Sequence, residues 1–83
     1  MKIRYDELKV NDIVMFHGAN VRIIKVTEKP APANEYYQNE KTIAFDIEPA
    51  DEEEEKILGK YYSHGSYGGV GFLEIELVKR DSQ

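Results

Sequence analysis

Two segments alternate apolar and polar residues with a period of two. Ile43, Phe45 and Ile47 fall on one side of a register whose other side holds Thr42, Ala44, Asp46 and Glu48, and Leu73, Ile75 and Leu77 alternate with Glu74 and Glu76. That period puts one face of a strand into a core and the other into water. Residues 41–48 and 72–79 are therefore predicted strands. Ahead of them, Ile13 to Phe16 is an apolar run, and the β-branched segment Val21-Arg22-Ile23-Ile24-Lys25-Val26-Thr27 is a further predicted strand. The four residues His17-Gly18-Ala19-Asn20 between them predict a hairpin, with Gly18 able to supply a positive φ. Asn11-Asp12 is turn chemistry, because both side chains can bond nearby backbone. The predicted core is Leu8, Val10, Ile13, Met15, Ile24, Val26, Ile43, Phe45, Ile47, Leu73, Ile75 and Leu77.

Breakers separate these strands. Pro30 and Pro32 each remove an amide donor and fix φ, so residues 28–35 form a loop rather than a central strand. Residues 49–58 predict a short helix: Pro49 suits a first-turn position, the acids Asp51 to Glu55 lie near the positive helix end, and Gly59 follows Leu58. A competing reading makes 56–62 a strand. Residues 61–71 are read as a loop, and 80–83 as a frayed tail.

The segment Leu8-Lys9-Val10-Asn11-Asp12-Ile13-Val14, followed by Gly18 and the apolar run from Val21 to Val26, resembles the opening hairpin of SH3-like small β-barrels. In that group a Gly-Asp pair typically begins the first barrel strand; here Asn11 stands in the glycine position, where a left-handed Asn is tolerated. The resemblance spans residues 8–27 and implies a fold class, not a function. With four strands, one short helix and no repeat, the expected architecture is mainly β, a small SH3-like barrel or a strongly bent antiparallel sheet with one short helix.

Eighty-three residues make a single domain, 1–83, with one thin core. Surface recognition is favoured over an enclosed substrate pocket. The absence of cysteine excludes disulfides and thiolate metal sites. Neither a signal-peptide pattern nor an apolar stretch of membrane-spanning length is present, so the expected location is the cytoplasm, with no membrane partner. Sixteen acids against eleven bases leave a net charge of −5, which disfavours phosphate backbones as ligands. The charge is uneven along the chain: six bases and four acids occupy residues 1–29, whereas Asp51 to Glu55 are five consecutive acids.

Candidate chemistry concentrates in residues 61–71, which hold three of the six tyrosines, one of the two histidines and four of the six glycines. Tyrosine offers a rigid apolar body with a polar tip, and glycine lets a partner approach the backbone. Tyr61, Tyr62, His64 and Tyr67 are the candidate partner-binding residues, with Tyr36 and Tyr37 as further contributors and Phe72 as their support. The alternative is that Tyr61 and Tyr62 complete a core edge and the glycines relieve a turn. The expected partner is a protein. Single-stranded nucleic acid is the alternative, stacking on the tyrosines if Lys41, Lys60, Lys79 and Arg80 border them. The acidic run reads as a solvated helix start or as a face for a basic protein.

No cofactor, metal site or catalysis is expected. His17 and His64 lack a ligand spacing, Gly68-Gly69-Val70-Gly71 lacks the lysine and helix of a phosphate loop, and strand alternation accounts for Glu74 and Glu76. Ser63-His64 are neighbours in sequence, which does not establish the hydrogen bond that activates a nucleophile. Catalysis would gain weight if the fold set His64 against a carboxylate inside a concave pocket.

Overall fold

In a computed structural model that describes residues 1–29 and 41–80, the chain forms one antiparallel sheet of six strands with a single short helix. The strands are β1 (Lys2–Arg4), β2 (Ile13–Phe16), β3 (Ala19–Lys29), β4 (Thr42–Pro49), β5 (Gly65–Val70) and β6 (Glu74–Lys79), and helix α1 spans Glu52–Leu58. Their order across the sheet is β1-β6-β2-β3-β4-β5. A 3₁₀ turn, Tyr5–Glu7, follows β1 and links the two ends of this order: the Tyr5 amide donates to the Leu73 carbonyl at 2.7 Å, and the Asp6 amide to the Gly71 carbonyl at 3.2 Å. Tyr36, Tyr37 and the two prolines of the predicted loop lie outside the described residues. The predicted tail also lies beyond them, except for Arg80.

The expected hairpin forms, with a tighter turn. Phe16 pairs with Ala19, so His17 and Gly18 alone make the loop, at φ +49° and +85°. Two positive φ values match the right-handed twist of the flanking strands, and Gly18 accepts its value without steric cost. Asn11 takes φ +78° at the turn before β2, the conformation its side chain tolerates.

The parity of β2 is opposite to that expected. All four residues from Ile13 to Phe16 are apolar, so period-two reasoning has two solutions; packing of Phe16 against Phe45 and Tyr67 selects the one that buries Val14 and Phe16. Met15 is exposed and Ile13 half-buried. In β3 a register shift between Ile23 and Lys25 leaves Ile24 on the surface, with Val21 and Ile23 fully buried before it and Val26 packed against the core after it. Val10 and Leu73, also expected inside, are exposed. The observed core comprises Ile3, Leu8, Val14, Phe16, Val21, Ile23, Ile43, Phe45, Ile47, Ile75 and Leu77.

Helix α1 starts later than expected. Pro49 is the last residue of β4, and Asp51 caps the helix, its Oδ1 accepting the Glu54 amide at 3.0 Å. The competing strand at 56–62 does not form; the chain turns from 59 to 64 and enters β5. Half of the expected 61–71 loop is thus strand, the sixth of the sheet. Arg80 is no frayed residue, because its guanidinium is bonded to the buried Asp12.

Candidate functional site

Tyr61, Tyr62, His64 and Tyr67 line one open cleft of about 520 Å³, together with Lys60, Gly65 and Ser66. The turn at 59–64 carries the first three, and β5 carries Tyr67. Tyr67 anchors the arrangement. Its ring packs on Phe16 at 4.6 Å between centroids, and its hydroxyl donates to the Tyr62 carbonyl at 2.8 Å, tying the turn to the strand. The Ser63 amide donates to the Gly59 carbonyl at 3.0 Å.

Tyr61 is 82% exposed and Tyr62 61%. Their rings meet edge to face, 5.1 Å apart at 84°, a geometry aromatic pairs favour. The alternative in which these two tyrosines complete a core edge does not describe them. Tyr67, by contrast, is half-buried and packed against the core. Phe72, expected beneath the tyrosines, sits 41% exposed in the turn between β5 and β6 and does not line the cleft.

His64 does meet a carboxylate. Its Nε2 lies 3.1 Å from Glu55 Oε2, which joins the turn to α1. The hydroxyls nearby are placed elsewhere: Ser63 is fully buried with its Oγ unpartnered, Ser66 Oγ donates to Asp46 Oδ1, and Tyr67 donates to backbone. A histidine and a carboxylate thus stand together, and among the described residues no hydroxyl is hydrogen-bonded to the ring. No group of three or more metal-ligating side chains occurs among the described residues.

The acidic run divides its work. Asp51 caps α1, Glu54 accepts from the Asn20 amide at 3.0 Å and from its Nδ2 at 3.2 Å, and Glu55 faces His64. Glu52 and Glu53 remain pointing to solvent, Glu53 lying 3.8 Å from Lys56 Nζ. The free acidic face is therefore smaller than five adjacent carboxylates imply. Of the four bases proposed to border the tyrosines, Lys60 lines the cleft. Lys41 Nζ pairs with Glu28 at 2.5 Å, an interaction that raises its pKa through the hydrogen bond to that carboxylate, and Arg80 is committed to Asp12. Lys79 lines a separate depression of about 550 Å³ with Val10, Asn11, Ile13, Arg22, Ile24 and Glu48.

Gly65 and Ser66, which also line the cleft, are not among the contact residues that the sequence suggests. Their contiguity with the tyrosines was the available signal; the strand that brings Ser66 beside Asp46 was hidden by three glycines. No protein-family model matches the chain, and neither the curated proteins nor the solved structures contain a significant match. No helix among the described residues is long and apolar enough to cross a membrane.

Proposed function

We propose that the chain is a non-enzymatic binding module that recognises a protein partner through the cleft lined by Tyr61, Tyr62, His64 and Tyr67. The observation that carries this reading is the exposure of Tyr61 and Tyr62 beside an anchored Tyr67. Two large rings held edge to face in water offer contact area at little conformational cost, the property that makes tyrosine frequent among residues dominating binding energy. The hydrogen bond from Tyr67 to Tyr62 and the contact from His64 to Glu55 hold the turn that presents them. Preorganisation of this kind lowers the ordering cost of binding.

Single-stranded nucleic acid is the weaker reading. It needs cations along the tyrosines, and among the described residues the cleft carries Lys60 alone, against a net charge of −5. The test is capture of partners by wild-type protein and by a Tyr61→Ala, Tyr62→Ala variant with an unchanged circular dichroism spectrum, beside titration with single-stranded oligonucleotides. A protein partner whose affinity falls about 10- to 100-fold in the variant supports the proposal. Equal affinity for both proteins, or oligonucleotide binding that weakens steeply with salt, overturns it.

A further inference from the structure

The outer edge of β5 adjoins the tyrosine cleft and, among the described residues, lacks the usual protections of a sheet edge. The pairing of β4 with β5 runs in one register, Thr42 with Val70 through Ile47 with Gly65, with no bulge. The Gly71 amide donates to the Lys41 carbonyl at 2.7 Å, which fixes the alternation: the odd-numbered residues of β5 face β4 with their backbone groups, and Ser66 and Gly68 turn theirs outward. Both residues are exposed, and among the described residues no backbone group is bonded to their outward edge. Natural edges are blunted by short length, charge, proline or bulges. The other edge of this sheet follows that rule, since β1 has three residues, two of them Lys2 and Arg4. β5 has six residues, Gly65-Ser66-Tyr67-Gly68-Gly69-Val70, with no charge and no proline.

Charge indicates what suits this edge. Asp6 stands against Gly71 at one end, Asp46 bonds Ser66, and Glu55 sits behind His64 at the other end; among the described residues Lys60 is the one lysine or arginine lining the cleft. Asp6 is offset by Arg4 at 2.9 Å and by the nearby Lys41, so the mild acidity lies at the cleft end, where Asp46 and Glu55 outnumber Lys60. A second copy of the chain would bring another net charge of −5 to the same place.

We infer that the partner contributes an extended basic segment that adds to the sheet as a seventh strand along β5, pairing with the backbone of Ser66 and Gly68 and laying an arginine or lysine side chain on Tyr61 and Tyr62. This rests on the binding reading above and specifies its mode. Main-chain pairing supplies affinity in strand addition, and side-chain contacts supply the selectivity. Cations are attracted to the faces of tyrosine rings.

The probe is a capped eight-residue peptide alternating arginine with valine, compared with its glutamate-for-arginine counterpart and with two forms N-methylated at alternate amides. Anisotropy gives the affinities, and amide NMR gives the site. Strand addition predicts binding of the basic peptide, at least tenfold weaker binding of the acidic one, and a tenfold or greater loss for one N-methylated form but not the other. The Ser66 and Gly68 amides should shift and gain protection from hydrogen exchange. A Ser66→Pro variant should lose binding, because it deletes an outward donor; the N-methylated peptides ask the same question of the wild-type protein if that variant does not fold.

Equal affinity of both N-methylated forms, together with loss in Tyr61→Ala, Tyr62→Ala, leaves the tyrosine cleft standing and overturns strand addition. The converse, loss on N-methylation with full binding by the tyrosine variant, keeps the edge and overturns the cleft. Absence of binding by the basic peptide overturns the inference. So does protection of the β5 amides by self-association or by an oligonucleotide.

Discussion

Arg80 closes on Asp12 across the sheet through two hydrogen bonds, Nε to Oδ1 at 2.8 Å and Nη2 to Oδ2 at 2.7 Å. The carboxylate is 1% exposed as a residue, and it also accepts the Lys9 amide at 2.9 Å. The same Arg80 nitrogen reaches the Glu7 carbonyl at 3.0 Å, so one side chain after β6 joins the turn before β2 to the 3₁₀ turn after β1. Burial by itself would raise the Asp12 pKa; the hydrogen bonds from Arg80 and the Lys9 amide outweigh it and hold the carboxyl below its ordinary value.

Removing the guanidinium leaves a buried carboxylate without its counterion. Arg80→Ala should cost roughly 2–3 kcal/mol at neutral pH, less than for a fully buried pair because Arg80 keeps some solvent contact. A depressed folded-state pKa means that ionised Asp12 stabilises the protein above its unfolded value, about 3.9, and that this contribution is lost as pH falls through the folded value. Urea midpoints measured from pH 7 down to pH 2 should therefore fall in acid for wild type, with that part of the fall missing in Asp12→Asn. Matching pH profiles for the two proteins would refute the assignment.

Gly68 is required by close approach. A Cβ built there would overlap the Ile43 carbonyl oxygen and press on Ala44 Cα at 3.1 Å. Both obstacles are backbone of β4 and cannot yield without moving the strand. Gly68→Ala should cost about 1–3 kcal/mol, read as a lowered urea midpoint with unchanged slope. An unchanged midpoint would mean that β5 lies farther from β4 than described.

Ser63 is fully buried and, among the described residues, its hydroxyl has no partner. An unsatisfied buried hydroxyl forfeits its hydrogen bonds to water without recovering them, at about 1–3 kcal/mol. Ser63→Ala should therefore be neutral or stabilise the protein by up to about 2 kcal/mol. Destabilisation by more than about 1 kcal/mol would show that the hydroxyl is bonded after all. Thermal and urea unfolding decide between them.

How much of this was legible in the sequence depended on how many solutions each local pattern allowed. Ile43, Phe45 and Ile47 alternate with residues that are polar or, at Ala44, small, so their burial had one solution. From Ile13 to Phe16 every residue is apolar, and the side that faces inward is chosen by a distant fact, the packing of Phe16 against Phe45 and Tyr67. The shift at Ile24 has no local signature either, because Val21, Ile23, Ile24 and Val26 are all β-branched. β5 escaped because three glycines among six residues read as a turn, whereas its pairing is specified by β4 beside it. The tyrosine cluster was visible as composition. Its division into two exposed rings and one anchor depended on Tyr67 lying on a strand.

That division yields the last prediction, at Tyr67. Phenylalanine at this position retains the ring against Phe16 and loses the hydroxyl that donates to the Tyr62 carbonyl. The freed carbonyl is at the surface and can bond water, so stability should change by less than about 1 kcal/mol. The turn bearing Tyr61 and Tyr62 loses its tie to β5, however, and more of its ordering must then occur on binding. Tyr67→Phe should weaken partner binding about 3- to 10-fold while amide exchange quickens across residues 60–64 and the urea midpoint stays within error. If affinity and exchange both match wild type, the hydroxyl does not organise the site. If the midpoint falls in step with affinity, Tyr67 acts on the fold rather than on the turn.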